Sequence, residues 1–173
     1  IYKFFLKSIV KMVMAETGKP IGTRSQSDAS IRLAEFLNSI DFTTDTGLMV
    51  SAGNYGHVML TQTADWQSAG EGLIGKTSSI KSVRFSPDAR LIAAGYGGAD
   101  CVAVFLTKDM SLVKLFPLFY IEAVAWTSDG RFLMAGGRDE QGRLRVFRSS
   151  DWQLAGNPEV QADRSNIEYI DVH

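Results

Sequence analysis

A repeat of roughly forty residues constrains the fold of this 173-residue chain more than any other feature. Three aspartates mark the repeat: Asp45, Asp88 and Asp129. Each follows a short segment in which apolar residues alternate at the same positions, namely 37–42, 80–85 and 121–126. Side chains of a strand point alternately to its two faces, so this alternation predicts a β-strand before each aspartate.

Three further features recur after each aspartate at nearly constant offsets. Short apolar runs follow at 48–52, 91–95 and 132–136, and a glycine-containing turn comes after each run. Third strands are then predicted at 58–61, 102–105 and 144–147, before a second set of aspartates, Asp65, Asp109 and Asp151. One unit therefore consists of three inner strands and a weaker outer strand. The 16 glycines and the near-two spacing exclude helical repeats of similar length.

Two first-strand segments and one third-strand segment carry a family resemblance. They read Val83-Arg84-Phe85-Ser86-Pro87-Asp88, Val124-Ala125-Trp126-Thr127-Ser128-Asp129-Gly130, and Val10-Lys11-Met12-Val13 leading to Ala15-Glu16-Thr17-Gly18-Lys19. These segments resemble the repeats of the WD-repeat family. The resemblance implies an all-β fold, a β-propeller segment built of four-stranded antiparallel blades.

Two departures from the family pattern affect what the resemblance implies. Family members often end the third strand in Trp-Asp, where this chain has Thr61-Gln62, Phe105-Leu106 and Phe147-Arg148. The Gly-His pair before the first strand is also missing, and Gly75-Lys76 is its nearest remnant. In the family that histidine joins a hydrogen-bond network, so we expect less polar bracing here and more reliance on packing. A related propeller class outside the WD group stays open.

The repeat divides the chain into three full blades with partial blades on either side. We predict a partial blade at 1–30, blades at 31–76, 77–117 and 118–164, and the first strand of a further blade at 165–173. The chain begins at Ile1 and ends within a repeat, so we expect a fragment of a longer protein. An open arc should self-associate through its end blades, and a four-bladed ring closed by both chain ends is the alternative.

No residue pattern in the sequence predicts a catalytic, cofactor or metal site. The repeated aspartates suit turn capping better than Ca²⁺ binding or acid–base chemistry, and His57 suits a surface turn. Residues 95–98 are glycine-rich but predict a hairpin turn, because no lysine or helix follows to cradle a phosphate. Trp66 and Trp152 occupy equivalent positions and predict packing between blades. A buried core is predicted from Phe42, Val83, Phe85, Val104, Val124, Trp126 and Val146.

The resemblance to WD-repeat propellers implies a protein-binding scaffold rather than an enzyme, and charge and composition narrow the class of partner. The net charge of −1 argues against a nucleic-acid partner, and the lysines within residues 1–14 argue against a membrane span. The single cysteine, Cys101, favours a reducing compartment such as the cytoplasm. The most charged turn is the candidate partner-contact loop, comprising Arg138, Asp139, Glu140, Gln141 and Arg143. One alternative is a quinoprotein-like or lactonase-like propeller enzyme with its catalytic residues in missing blades, and another is a purely structural propeller.

Overall fold

The computed structural model of the chain describes residues 37–74, 78–98, 101–118, 120–137 and 144–156, together with Ile167 and Ile170. The predicted partial blade at 1–30 and the contact loop at 138–143 lie outside these residues. So does most of the strand predicted at 165–173. Among the described residues, no helix is long and apolar enough to cross a membrane.

Twelve strands form three antiparallel sheets of four strands each within the described part of the chain. The first sheet contains β1 (Leu37–Phe42), β2 (Leu48–Gly53), β3 (His57–Gln62) and β4 (Ser68–Leu73). The second contains β5 (Ile80–Phe85), β6 (Leu91–Tyr96), β7 (Cys101–Leu106) and β8 (Leu112–Pro117). The third contains β9 (Ile121–Trp126), β10 (Phe132–Gly137), β11 (Arg145–Arg148) and β12 (Leu154–Gly156).

The predicted all-β fold is confirmed, and the three predicted first strands coincide with β1, β5 and β9. Strands pair in chain order within each sheet, so every sheet is an up-and-down meander with its first strand at one edge. The first strands of neighbouring sheets contact each other, β1 against β5 and β5 against β9. These side-by-side first strands are the inner strands of consecutive propeller blades.

Two apolar cores fill the spaces between consecutive sheets. The first joins the first and second sheets around Val58, Val83 and Phe105. The second joins the second and third sheets around Val104, Val124 and Leu133. The second sheet therefore contributes both of its faces to cores, which explains why β6 and β7 are apolar at nearly every position.

Five of the seven predicted core residues are buried, whereas Phe42 and Val146 are only half-buried. The prediction is wrong for these two because both lie in an end sheet. Their equivalents in the second sheet, Phe85 and Val104, are covered by a neighbouring sheet. Phe42 and Val146 instead point away from the second sheet, to faces on which the structure describes no further sheet.

Candidate functional site

The two ends of the sheets differ in structure. We call the end that carries the β1–β2, β3–β4 and equivalent turns the aspartate end, because each of these turns contains one of the repeated aspartates. We call the other end the entry end, because β1, β5 and β9 begin there. The β2–β3 turn lies at the entry end, and β6 and β10 end there while β7 and β11 begin there.

Asp45 organises its turn through a compact hydrogen-bond network. The Thr43 hydroxyl donates to Asp45 Oδ1 at 2.6 Å, and the Gly47 N–H donates to the same oxygen at 3.0 Å. Thr46, which lies between Asp45 and Gly47, adopts a left-handed φ of 57°. The same network recurs around Asp88 and Asp129, with Ser86 and Thr127 in place of Thr43. The interpretation of these aspartates as turn caps is therefore confirmed.

The pKa values of the capping aspartates fit this structural role. The hydroxyl hydrogen bond from Thr127, assisted by the Arg131 N–H, lowers the pKa of Asp129 to about 2. The corresponding hydroxyls of Thr43 and Ser86 lower the pKa of Asp45 and of Asp88. Each carboxylate is consequently ionised and held by its own turn. No group of three His, Cys, Asp or Glu side chains among the described residues could hold a metal ion.

The second aspartate set builds the β3–β4 turns in a similar way. The N–H groups of Gln67, Ser111 and Gln153 donate at 3.0 Å to the aspartate two positions earlier. The intervening residue has a left-handed φ of 59°, 57° and 59° at Trp66, Met110 and Trp152 respectively. This conformation turns a large apolar side chain back towards the preceding sheet.

Trp152 shows what this side chain does. Its ring stands edge-on to Phe116, on outer strand β8, with centroids 6.0 Å apart, and edge-on to Trp126 at 6.3 Å. Met110 is the equivalent residue of the second sheet and packs against Gly70 of β4. Its side chain occupies the space that a side chain at position 70 would need. The predicted packing between blades is thus confirmed for Trp152, and Trp66 is half-buried in the equivalent turn.

Polar contacts between inner strands were not predicted from the sequence. The Ser39 hydroxyl of β1 accepts a hydrogen bond from the Val83 N–H of β5 at 3.1 Å. Ser82 does the same for the Val124 N–H of β9 at 3.2 Å. An inner strand is the edge of its sheet, so alternate N–H groups point away from its ladder and need another acceptor. The expectation that packing would replace polar bracing is therefore incomplete.

Asp41 supplies a second acceptor of this kind. Its Oδ2 accepts the Phe85 N–H at 2.8 Å, and its Oδ1 accepts the Phe42 N–H at 3.0 Å. Burial raises the pKa of Asp41, although the Phe85 N–H and the nearby Arg84 act in the opposite direction. Arg84 donates to the Val83 carbonyl and to the Ser39 hydroxyl. The Asp41 carboxylate therefore supplies an acceptor for the Phe85 N–H at the edge of β5, although this places a negative charge in a partly buried position.

The glycine-rich segment 95–98 is confirmed as the end of a strand and a turn. Tyr96 is fully buried, and its hydroxyl donates to the Gly56 carbonyl of the preceding sheet at 3.1 Å. This burial raises the pKa of the Tyr96 phenol well above its usual range. The segment therefore joins two sheets through Tyr96.

His57 lies at the start of β3, half-exposed, where its ring contacts the Glu71 carboxylate. This placement matches its interpretation as a surface residue near a turn. Glu71 lies on the neighbouring strand β4, so the contact joins β3 to the outer strand of the first sheet. Among the described residues, the pair does not belong to any group of three His, Cys, Asp or Glu side chains that could hold a metal ion.

The entry end exposes two aromatic side chains that sequence reasoning did not single out. Tyr55, in the β2–β3 turn, has 41% of its surface exposed, and Tyr120, just before β9, has 56% exposed. Tyr120 also has a left-handed φ of 50°, which a bulky residue rarely adopts. The candidate loop 138–143 lies outside the described residues; the strands on either side of it, β10 and β11, end and begin at this same end.

Three consecutive four-stranded sheets with neighbouring inner strands define a segment of a β-propeller. Residues 69–105 match the family model described as WD domain, G-beta repeat, so this part of the chain is similar to a WD repeat. The match runs from β4 into β7. It therefore covers the outer strand of the first sheet and the first three strands of the second. No curated protein matches the chain.

Proposed function

We propose that this chain is a protein-interaction scaffold whose partner binds the entry end of the sheets. The proposed contact loop comprises Arg138, Asp139, Glu140, Gln141 and Arg143, which join β10 to β11. The WD-type repeat and the blade-like sheets support a protein-interaction propeller in general. Loops held on a rigid strand framework are well suited to recognition, because little entropy is lost when they bind.

The exposure of Tyr55 and Tyr120 is the observation that favours the entry end. Tyrosine combines a large apolar ring with a hydroxyl, and protein interfaces are enriched in it. By contrast, the aspartate end presents turns whose polar side chains are mostly engaged in capping their own backbone. The entry end is therefore the better surface for a partner.

A charge-reversal comparison tests the proposal. Arg138→Glu combined with Arg143→Glu changes the proposed loop, whereas Arg90→Glu combined with Lys108→Glu makes the same charge change at the aspartate end, where both residues are exposed. Each variant of the full chain is used for proximity labelling in cells, and the labelled proteins are compared. We expect the loop variant to lose partners that the matched variant retains.

Substitution of Tyr55 by serine provides an independent arm at the same end. It should weaken the same partners, because it removes an exposed aromatic ring without a change of charge. Identical labelled proteins for all variants would contradict the proposal, and so would losses confined to the aspartate-end variant.

A further inference from the structure

Outer strand β8 exposes a row of large apolar side chains. Leu112 is 48% exposed, Val113 38% and Leu115 42%, all on the strand that ends the second sheet. Only Phe116 of this strand is buried, against Phe147 of the third sheet with ring centroids 4.2 Å apart. One apolar residue therefore anchors the strand, and the others face solvent.

Strand β4 of the first sheet shows that the fold does not require these residues. Leu115 pairs with Ala103, and the equivalent pair in the first sheet is Met59 with Glu71. In the same register, Val113 corresponds to Ala69. Leu112 corresponds to Ser68, and also to the exposed Leu154 of β12. In the first sheet this position thus carries a glutamate that contacts His57, and Leu115 is itself 42% exposed, so burial in the blade does not account for the apolar residue.

No described strand pairs with the outer edge of β8, and this edge is short and bounded at both ends. A register shift lies between its first residues, where β7 changes pairing from Val104 to Phe105. Pro117 ends the strand and has no N–H to donate. Bulges and prolines restrict pairing at a sheet edge, which disfavours open-ended stacking of strands. The remaining edge has the length of a short peptide segment.

The charge on this edge is positive. Lys114 lies between Val113 and Leu115, with its ammonium 5.9 Å from the centre of the Phe116 ring. Strand β8 contains no acidic residue, and Lys114 forms no ion pair with a described side chain. A segment that pairs with β8 would complement it with apolar side chains and an acidic residue near Lys114.

We propose that the outer edge of β8 binds a short extended segment of a partner protein by strand addition. Backbone hydrogen bonds to the free edge hold the segment, its apolar side chains cover Val113 and Leu115, and an acidic residue pairs with Lys114. This surface lies on the outer rim of the blade, apart from the turns of the entry end. This proposal is independent of the proposed scaffold function. The substitutions that test the entry end leave β8 unchanged, and the substitution that tests β8 leaves the entry-end loop unchanged.

Two short peptides and the full 173-residue chain test the proposal. Both peptides alternate valine with threonine; one has a central glutamate and the other a central lysine. Binding is measured by fluorescence anisotropy, and backbone protection of β8 by hydrogen exchange. We expect the glutamate peptide to bind about fivefold more tightly, with a preference that weakens at high salt. Protection should rise in β8 and not in β4.

Leu115→Glu is the decisive variant, because it places in β8 the residue that β4 already carries. It should weaken the glutamate peptide about tenfold while leaving thermal unfolding close to the unchanged chain. The matched control is Leu73→Glu, which adds the same charge at a side chain of β4 that is 49% exposed. This control should change binding less than about twofold.

Three results would overturn the proposal. The first is failure of both peptides to bind, and the second is equal weakening by the two substitutions. The third is self-association of the unliganded chain in sedimentation that Leu115→Glu abolishes, which would assign this edge to a second copy of the chain.

Discussion

At the scale of single residues, one serine hydroxyl on β1 and one on β5 each link a sheet to the next sheet along the chain. Ser39 and Ser82 occupy the same position of β1 and β5, and each is buried against the following inner strand. A buried N–H without an acceptor costs free energy comparable to a lost hydrogen bond. The serines therefore stabilise the edges of β5 and β9 and fix the register between sheets.

Ser82→Ala should destabilise the chain by about 1–2 kcal/mol, because it leaves the Val124 N–H without its acceptor. Urea unfolding measures the change in free energy, and hydrogen exchange at Val124 reports the local effect. The control is Ser150→Ala at an exposed turn position, which should stay within about 0.5 kcal/mol. Unchanged exchange at Val124 would show that the hydroxyl does not cap this amide.

Asp41→Asn should leave stability at about pH 7 equal or higher, because asparagine keeps an oxygen for the Phe85 N–H and removes a partly buried charge, which together offset the loss of the acceptor for the Phe42 N–H. Burial raises the pKa of Asp41 above its ordinary value of 3.8. The folded state therefore holds this proton more tightly than the unfolded state. The stability that the protonated Asp41 carboxyl contributes is fully present below the pKa of the unfolded state, and it is lost as the pH rises through the pKa of the folded state.

Urea unfolding of the Asp41→Asn variant and the unchanged chain should accordingly converge as the pH falls below about 4. Asp41→Ala serves as the control, since it removes the acceptor and should cost about 1–3 kcal/mol at about pH 7. A large loss of stability in the asparagine variant at neutral pH would mean that the attraction of the nearby Arg84 charge and the hydrogen bonds to the carboxylate outweigh the desolvation.

The turn networks could be predicted from the sequence, but the serine contacts could not. Asp129 binds groups within two residues of itself, so its local sequence identifies its role. Ser82 binds a residue in the next repeat, and nothing in its own segment indicates the edge to which it points. The only signal is that a serine occupies the same position of two predicted first strands, at Ser39 and Ser82.

At the scale of elements, the spacing between strands of neighbouring sheets depends on individual small residues. Gly95 of β6 leaves no room for a side chain, because a Cβ there would stand 2.6 Å from Ile121 Cγ2 and 3.1 Å from Val124 Cγ1. The equivalent residue of β2 is the buried Ala52. The close approach of β9 therefore determines the requirement for glycine.

Gly95→Ala should cost about 1–3 kcal/mol through overpacking against Ile121. Ile121→Ala alone should also destabilise the chain, because Ile121 is buried. The double variant should be more stable than the sum of the two changes predicts, since the new methyl group occupies part of the space that Ile121 leaves. Simple additivity in a double-mutant cycle measured by urea unfolding would argue against this contact.

Trp126→Ala should cost about 3–5 kcal/mol, because this residue of β9 is 7% exposed and supports the ring of Trp152. Thermal and urea unfolding measure the loss. The control is Trp66→Ala, at a half-buried turn position, for which a smaller loss is expected. A cost below about 1 kcal/mol for Trp126 would mean that its packing contributes little to the blade.

Inner strands could be located from the sequence more exactly than outer strands. The alternation in β1, β5 and β9 follows from burial between sheets, and it fixed their limits to the residue. Outer strands such as β4 and β8 are largely exposed, so no burial pattern marks their register. For the same reason, the sequence alone does not show which residues of β8 are exposed. The strand pairings of β8 and β4 are needed to match their positions.

At the scale of the whole molecule, the second sheet differs from the other two described sheets. Both of its faces are packed in apolar cores, one against the first sheet and one against the third. Val83, Ile92, Val102 and Val104 are fully buried in it. In repeat proteins, stability is approximately the sum of the repeats and their contacts with nearest neighbours. A sheet with two described neighbours should therefore be the most stable part.

Native-state hydrogen exchange measured by mass spectrometry should show this order directly. We expect the slowest exchange in β6 and β7, intermediate rates in β2 and β10, and the fastest in outer strands β4, β8 and β12. Leu133→Ala, which removes a fully buried side chain of β10 from the second core, should accelerate exchange in the third sheet more than in the first. Equal acceleration in all three sheets would instead mean that they unfold as one cooperative unit, because the inner-strand contacts would then couple the blades more strongly than each blade's own packing.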